Sequence, residues 1–370
     1  RRWNPNIQRV RAMVGEAARA AALLVGDRVI DGAELADLAR ARAAGLPDPL
    51  DGRCLVHVRF ERTLDALISY LAVLEAGHVA LLLPPTGADE VVATYPGDFS
   101  TERGGFVATA YRGRPTHLLH PDLAVLLSTS GSTGSPKLVR LSKDNLRANA
   151  EGIVAALGLT ARDRGITALP FFYCYGLSVV HSHLLVGAAL ILTDHSVSEQ
   201  PFWDLFVRHR GTTFAGVPYT FELLDRIDFP HMKLPHLRYI TQAGGPMPPD
   251  RVRRFAALGQ RRGWALVVMY GATEATARMA YLPPDLAQSH PHAIGVAIPG
   301  ASLTIEPLDG WPDDDAGEHA VVDQRLLPGF VDLAGQHDRR HSLEHRLHHQ
   351  VADDQQNTHR GAGGHHDGGN

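Results

Sequence analysis

"LAVLLSTSGSTGSPK" (residues 123–137) opens with an apolar run, passes through eight consecutive Ser, Thr or Gly residues, and ends in Pro136 and Lys137. The apolar part predicts a buried strand, because a short β-branched and Leu-rich run bounded by turn residues fits a sheet interior. The remainder predicts a loop built to hold an anion. Gly131 and Gly134 let backbone N–H groups turn toward one point, and Thr129, Ser130, Ser132 and Thr133, with Ser128, add hydroxyl donors. Lys137 adds a full positive charge, so the set suits a polyphosphate. A Walker A loop is excluded. That motif needs four residues between its glycines and a Lys-Ser/Thr pair directly after the second. A flexible Ser/Gly linker is the competing reading, but a linker seldom follows directly on an apolar strand and ends in Pro-Lys.

Outward from this loop the chain alternates strands with helices. "CLVHVRF" (54–60) and "HVALLLPP" (78–85) predict strands, and "RTLDALISYLAVLEAG" (62–77) between them predicts a helix stopped at Gly77. Further strands are expected at 166–169, 188–193, 212–217, 237–242 and 264–269. Helices are expected near 142–157, 176–187, 200–209, 218–227 and 248–261. Such alternation indicates βαβ units and an α/β fold with stacked, largely parallel or mixed sheets flanked by helices. Ligands in such folds sit at the carboxyl ends of the strands.

Composition narrows the classes. With 370 residues, 44% of them apolar, the chain can bury a sizeable core. A formal net charge of −4 gives no reason to expect nucleic acid or an anionic membrane as partner. Two cysteines, Cys54 and Cys174, are too few for a disulfide framework and predict buried thiols in a reducing, cytoplasmic setting. The longest nearly apolar stretch, 176–193, carries His181, Ser182 and His183 at its middle, too polar for a membrane span. No secretory signal opens the sequence, and the absence of an initiator Met is consistent with a fragment.

"STSGSTGSPK" resembles the phosphate-binding loop of the adenylate-forming (AMP-binding) superfamily, which includes acyl- and aryl-CoA synthetases, peptide-synthetase adenylation domains and luciferases. Four further stretches agree in the family's order. "LPFFYCYGL" (169–177) resembles its aromatic-rich motif, and "QAGGPMPPD" (242–250) the glycine turn beside the adenine. "MYGATEATARM" (269–279) matches its Tyr-Gly-x-Thr-Glu signature, and "IGVAIPGASLTI" (294–305) its Gly-x-x-x-Pro-Gly stretch.

The resemblance implies ATP-dependent activation of a carboxylic acid to an acyl adenylate with release of pyrophosphate. CoA or a carrier-protein thiol would then accept the acyl group. It implies that residues 129–134 and Lys137 hold the β- and γ-phosphates and that Glu274 holds Mg2+, a hard cation suited to carboxylate and phosphate oxygens. Thr273 would donate near the α-phosphate, Tyr270 would stack on adenine beside Gly271, and Gly244, Gly245 and Pro246 would approach the base. Tyr173, Val217, Gly244 and Ala272 would line the acid. Tyr173 stands where many family members carry a histidine and near where amino-acid-activating members carry an aspartate. A buried ammonium without a counter-charge is costly, so an acyl or aryl acid is expected rather than an α-amino acid. Read without the family, Tyr270 is ordinary core and Glu274 a solvated carboxylate.

The resemblance ends near Glu318, which divides an expected adenylation domain (1–318) from a His-rich tail (319–370). The tail holds 9 of the 21 histidines and no Lys, Trp or Tyr. The chain's three lysines are Lys137, Lys143 and Lys233, so the family's lid lysine has no counterpart. Three accounts compete. A frameshift in a GC-rich gene, favoured by 33 arginines against three lysines, is preferred. A metal-binding extension through His337, His341 and His345, spaced four apart, is the second. A deliberate truncation with a specialised end is the third. On any of them adenylation is expected to be impaired. A non-catalytic nucleotide- or acyl-binding remnant is the rival function.

Overall fold

The computed structural model describes residues 22–128 and 137–303. A hairpin of β1 (Ala22–Val25) and β2 (Arg28–Asp31) turns at Gly26 and runs into α1 (Gly32–Ala43). The Asp31 carboxylate caps that helix by accepting from the Glu34 N–H. Next come β3 (Leu55–Arg59), α2 (Leu64–Glu75) and β4 (Val79–Leu83). Thr63 caps α2, and Gly77, with φ +79°, takes the left-handed conformation that stops it. After α3 (Asp89–Thr94) a second hairpin, β5 (Phe99–Glu102) and β6 (Gly105–Ala108), precedes β7 (Leu123–Ser128) and β8 (Leu138–Ser142). α4 (Lys143–Leu157) starts from a reciprocal capping box between Ser142 and Asn145.

The chain continues through β9 (Arg164–Ile166), α5 (Cys174–Leu185), β10 (Ala189–Leu192), α6 (Gln200–Arg208), β11 (Thr213–Gly216) and α7 (Pro218–Arg226). It then adds β12 (Tyr239–Gln242), α8 (Pro249–Arg262), β13 (Ala265–Tyr270), β14 (Ala280–Tyr281) and β15 (Val296–Ala297). Among the described residues these strands form two sheets. One has the order β6-β5-β3-β4-β7-β8 and the other β15-β14-β13-β12-β11-β9-β10-β1-β2. In each the middle strands pair in parallel and the edges antiparallel. The expected α/β fold with stacked mixed sheets is therefore the observed one.

One apolar cluster joins the sheets, drawing Val56, Leu82 and Val125 from the first, Leu23 and Leu190 from the second, and Leu177 and Val180 from α5. Every residue of α2 from Ala66 to Leu74 is buried, as suits a helix apolar on all sides. Each Leu so buried contributes about 2 kcal/mol by area removed from water. Both cysteines are buried and unpaired.

Some boundaries differ from expectation. The strand expected at 166–169 lies at 164–166. Beyond it Thr167 still donates its N–H to the Ile191 carbonyl, but Pro170 has no N–H to continue a ladder. The helix expected from 176 begins at Cys174. The β1–β2 hairpin, α1, α3, the β5–β6 hairpin and β8 had no sequence expectation. The division expected at Glu318, and Thr129, Ser130, Gly131, Ser132, Thr133 and Gly134, lie outside the described residues. No helix among the described residues is long and apolar enough to cross a membrane.

Candidate functional site

Three adjacent parallel strands, β11, β12 and β13, end on one edge of the larger sheet. The turns that follow them carry Val217, Gly244 with Gly245, and Gly271 through Glu274. This is the side on which open parallel sheets bind ligands.

The turn after β12 is fixed by Gln242, whose amide donates 2.9 Å to the Gly245 carbonyl. Ala243 N–H bonds back to Gly216 at the end of β11. Gly244 has φ +82°, a conformation that L side chains rarely adopt. It is also confined, because a Cβ there would sit 2.4 Å from Tyr173 Oη and 3.1 Å from Val217 Cγ1. Tyr173, Val217 and Gly244, which the sequence reading assigned to the acid, therefore meet. Gly244, Gly245 and Pro246 are exposed and leave an open backbone rim.

Tyr173 is the N-cap residue of α5, and Cys174 begins the helix. Burial, with a smaller contribution from Cys174, pushes the Tyr173 hydroxyl up to about 12. It therefore stays a neutral hydrogen-bonding group across physiological pH. The Tyr173 and Tyr175 rings meet edge to face with centroids 6.4 Å apart, and Tyr175 Oη donates 2.7 Å to Thr241 Oγ1.

The turn after β13 holds the other candidates. Tyr270 closes the strand, half-buried, and burial raises its hydroxyl's pKa. Gly271 and Ala272 lead into a short 3-10 turn, Thr273–Ala275. Thr273 Oγ1 donates to Cys174 Sγ at 3.3 Å, tying this turn to the start of α5. Glu274 is half-buried on the same turn. Two non-glycine residues after it, Thr276 at φ 67° and Ala277 at φ 143°, hold positive φ. The backbone is so tightly folded that a Cβ on Gly271 would stand 1.6 Å from the Ala277 carbonyl oxygen.

Lys137 is exposed and immediately precedes β8, which packs against the Thr273–Ala275 turn. β8 thus runs beside the turn that carries Glu274. Among the described residues no three His, Cys, Asp or Glu side chains cluster as a metal cage. A single carboxylate fits Mg2+, which takes one or two protein carboxylates and completes its shell with substrate phosphates and water.

Sequence reasoning missed Gln242, Cys174 as the Thr273 partner, and Arg278. The last had a visible signal, a lone arginine in the otherwise small and apolar stretch from Ala275 to Ala280.

The AMP-binding enzyme family profile matches residues 91–329. The chain is 30% identical over 210 residues to the sulfoacetate–CoA ligase of Cupriavidus necator, covering 56% of this chain and 40% of that protein. It is 31% identical over 266 residues to the oxalate–CoA ligase of Arabidopsis thaliana, covering 70% of this chain and 49% of that protein. It thus spans half or less of the length of these relatives. Among solved structures, o-succinylbenzoate CoA synthetase from Bacillus subtilis in complex with ATP and magnesium ion superposes with a TM-score of 0.65 at 21% identity. That match covers 83% of this chain and 67% of that one. The N-terminal domain of FACL13 from Mycobacterium tuberculosis gives 0.67 at 18% identity, covering 84% and 86%.

Proposed function

From the premise that this chain belongs to the AMP-binding enzyme family, we propose that it carries the acid-activating half of an AMP-forming acid–thiol ligase. A carboxylate attacks the α-phosphorus of ATP, pyrophosphate leaves, and an acyl adenylate remains for transfer to CoA. The observation that carries this reading is the meeting of Tyr173, Val217, Gly244 and the Tyr270–Glu274 turn at the ends of three parallel strands.

In such a transfer the protein acts by positioning and by stabilising charge on the phosphates. The bare rim at Gly244–Gly245 lets the adenine approach the backbone, with the Tyr270 ring beside it. The Thr273 hydroxyl, which donates to Cys174, would turn toward an α-phosphate oxygen. Lys137 and residues 129–134 hold the β- and γ-phosphates. Glu274 would hold Mg2+, whose charge would offset that building on the leaving pyrophosphate. The acid enters against Tyr173, Val217 and Ala272, among neutral side chains. No carboxylate among these residues pairs a substrate ammonium, which favours an acyl or aryl acid over an α-amino acid.

Lys137→Ala and Glu274→Ala test the phosphate assignment directly. Each is expected to weaken MgATP binding about tenfold or more, the scale of one lost charge-assisted contact. Unchanged MgATP affinity in both variants rejects the assignment.

A further inference from the structure

Arg278 is the largest fully buried side chain among the described residues, 2% exposed. Among the described residues no carboxylate pairs with it. Its contacts are the Ser178 hydroxyl at 3.1 Å, Met269 Sδ at 3.5 Å, and the face of Tyr175 at 5.3 Å. A buried guanidinium without a counter-charge is strongly disfavoured, and a chain that keeps one usually supplies an anion.

A cavity of about 10 Å³ lies against it, walled by His183 of α5, Gly165 of β9, Thr213 of β11 and Tyr239 of β12. Two of these walls present buried polar atoms, His183 Nε2 without a partner and Tyr239 Oη with only the Thr213 hydroxyl beside it, on side chains only 4% and 5% exposed. His183 Nδ1 lies 2.8 Å from the Val179 carbonyl and so carries the ring proton, leaving Nε2 as a bare acceptor. Gly165 makes room for that ring, since a Cβ there would stand 2.5 Å from Nε2.

We propose that Arg278, Tyr239 and His183 form a buried site for one compact monovalent anionic group. A water would fill the volume and satisfy His183 Nε2 and Tyr239 Oη, because a space of this size holds about one water. It would leave the arginine's charge uncompensated. A halide, or one oxygen of a carboxylate, compensates it while accepting from Tyr239 Oη–H. Burial, with the Arg278 charge, pushes the His183 imidazole down to about 4, so the ring is neutral without an anion beside it. Nε2 donates only if a proton enters together with the anion, and halide binding should therefore tighten as pH falls. The charged groups acting on His183 are Arg278, of like sign, and Asp163, of opposite sign.

Two sources supply such a group. One is a free halide. The other, which rests on the function proposed above, is the distal end of the activated acid. Tyr239 and Gln242 are three strand residues apart, about 10 Å along β12 at the usual rise. Gln242 ends the strand and opens the turn that carries Gly244, so the cavity lies toward the other end of β12 from that turn. A substrate reaching both would be a diacid with a chain between its carboxylates.

Thermal unfolding of the full chain distinguishes the sources without requiring turnover. The midpoint is followed against sodium chloride and bromide, with sodium gluconate holding ionic strength constant, and separately against octanedioate and octanoate. A saturable halide shift absent from Arg278→Met, or octanedioate binding about tenfold tighter than octanoate and displaced by halide, supports the site. Tyr239→Phe, which keeps the ring packing, is expected to weaken halide binding about fivefold and guards against misfolding of the arginine variant. Indifference of the native chain to halide, together with equal affinity for the two acids, overturns the proposal and leaves a water-filled cavity. A halide shift in a chain that activates no acid would leave this site standing and remove the functional reading instead.

Discussion

The two ends of β12 are built to opposite rules. At its start Tyr239 is buried, and on the neighbouring wall Asp163, 1% exposed, accepts from the Thr160 N–H, the Thr212 hydroxyl and the Arg238 guanidinium. At its end Gly244 and Gly245 stand exposed on positive-φ backbone, faced by a tyrosine hydroxyl and a valine methyl. One end invests side chains in closing the sheet. The other withholds them so that backbone stays reachable. Ligand sites on parallel sheets fall at the withheld end, and substitutions at the two ends should fail differently.

The largest effect is expected where the reachable end is folded most tightly. Gly271→Val must displace the Ala277 backbone and should destabilise by about 3 kcal/mol or more, so that little folded protein survives purification. A normal unfolding midpoint for this variant would show that the turn is looser than described. Next, Thr273→Val and Glu274→Ala should lower acid-dependent ATP turnover about a hundredfold each while moving the midpoint little, the scale of one lost transition-state donor.

At the closed end, Asp163→Asn should cost about 1–2 kcal/mol in denaturant titration with no selective loss of MgATP affinity, because Arg238 is half exposed and screened. Burial alone would raise the Asp163 pKa. The Arg238 guanidinium, the Thr160 N–H and the Thr212 hydroxyl outweigh it and hold the carboxyl below its ordinary range. Its contribution is therefore complete above about pH 4, the ordinary carboxylate value, and is lost as pH falls through the depressed one. Native stability should drop on acidification below about pH 4, and Asp163→Asn should flatten that drop. The smallest effect is reserved for Tyr173→Phe. It removes a hydroxyl facing Gly244 but keeps the ring on Tyr175, and should shift the midpoint by less than about 0.5 kcal/mol equivalent.

How much of this was legible in the sequence follows from the kind of signal each element carries. β3, α2, β4 and β7 are nearly continuous apolar runs, and burial on both faces writes itself into composition. α1 escaped because "GAELADLARARA" interleaves charge with small residues and buries only Gly32, Leu35 and Ala39. The β5–β6 hairpin is short, edge-placed and half polar, without the alternation that marks a strand. Gly244, Tyr270 and Thr273 were singled out from local motifs, and each falls on a turn at the strand ends or closes the strand before one. The bond from Thr273 to Cys174 and the closeness of Tyr173 to Gly244 join positions far apart in the chain, and no local pattern records such a pairing.

The most direct test of the central claim is acid-dependent exchange of labelled pyrophosphate into ATP by the purified chain, over a panel of aliphatic and aromatic acids and α-amino acids. Exchange that requires Mg2+, rises with an acyl or aryl acid, and falls about a hundredfold in Thr273→Val is the predicted result. Measurable MgATP binding without exchange for any acid would contradict it and leave a nucleotide-binding domain without acid activation.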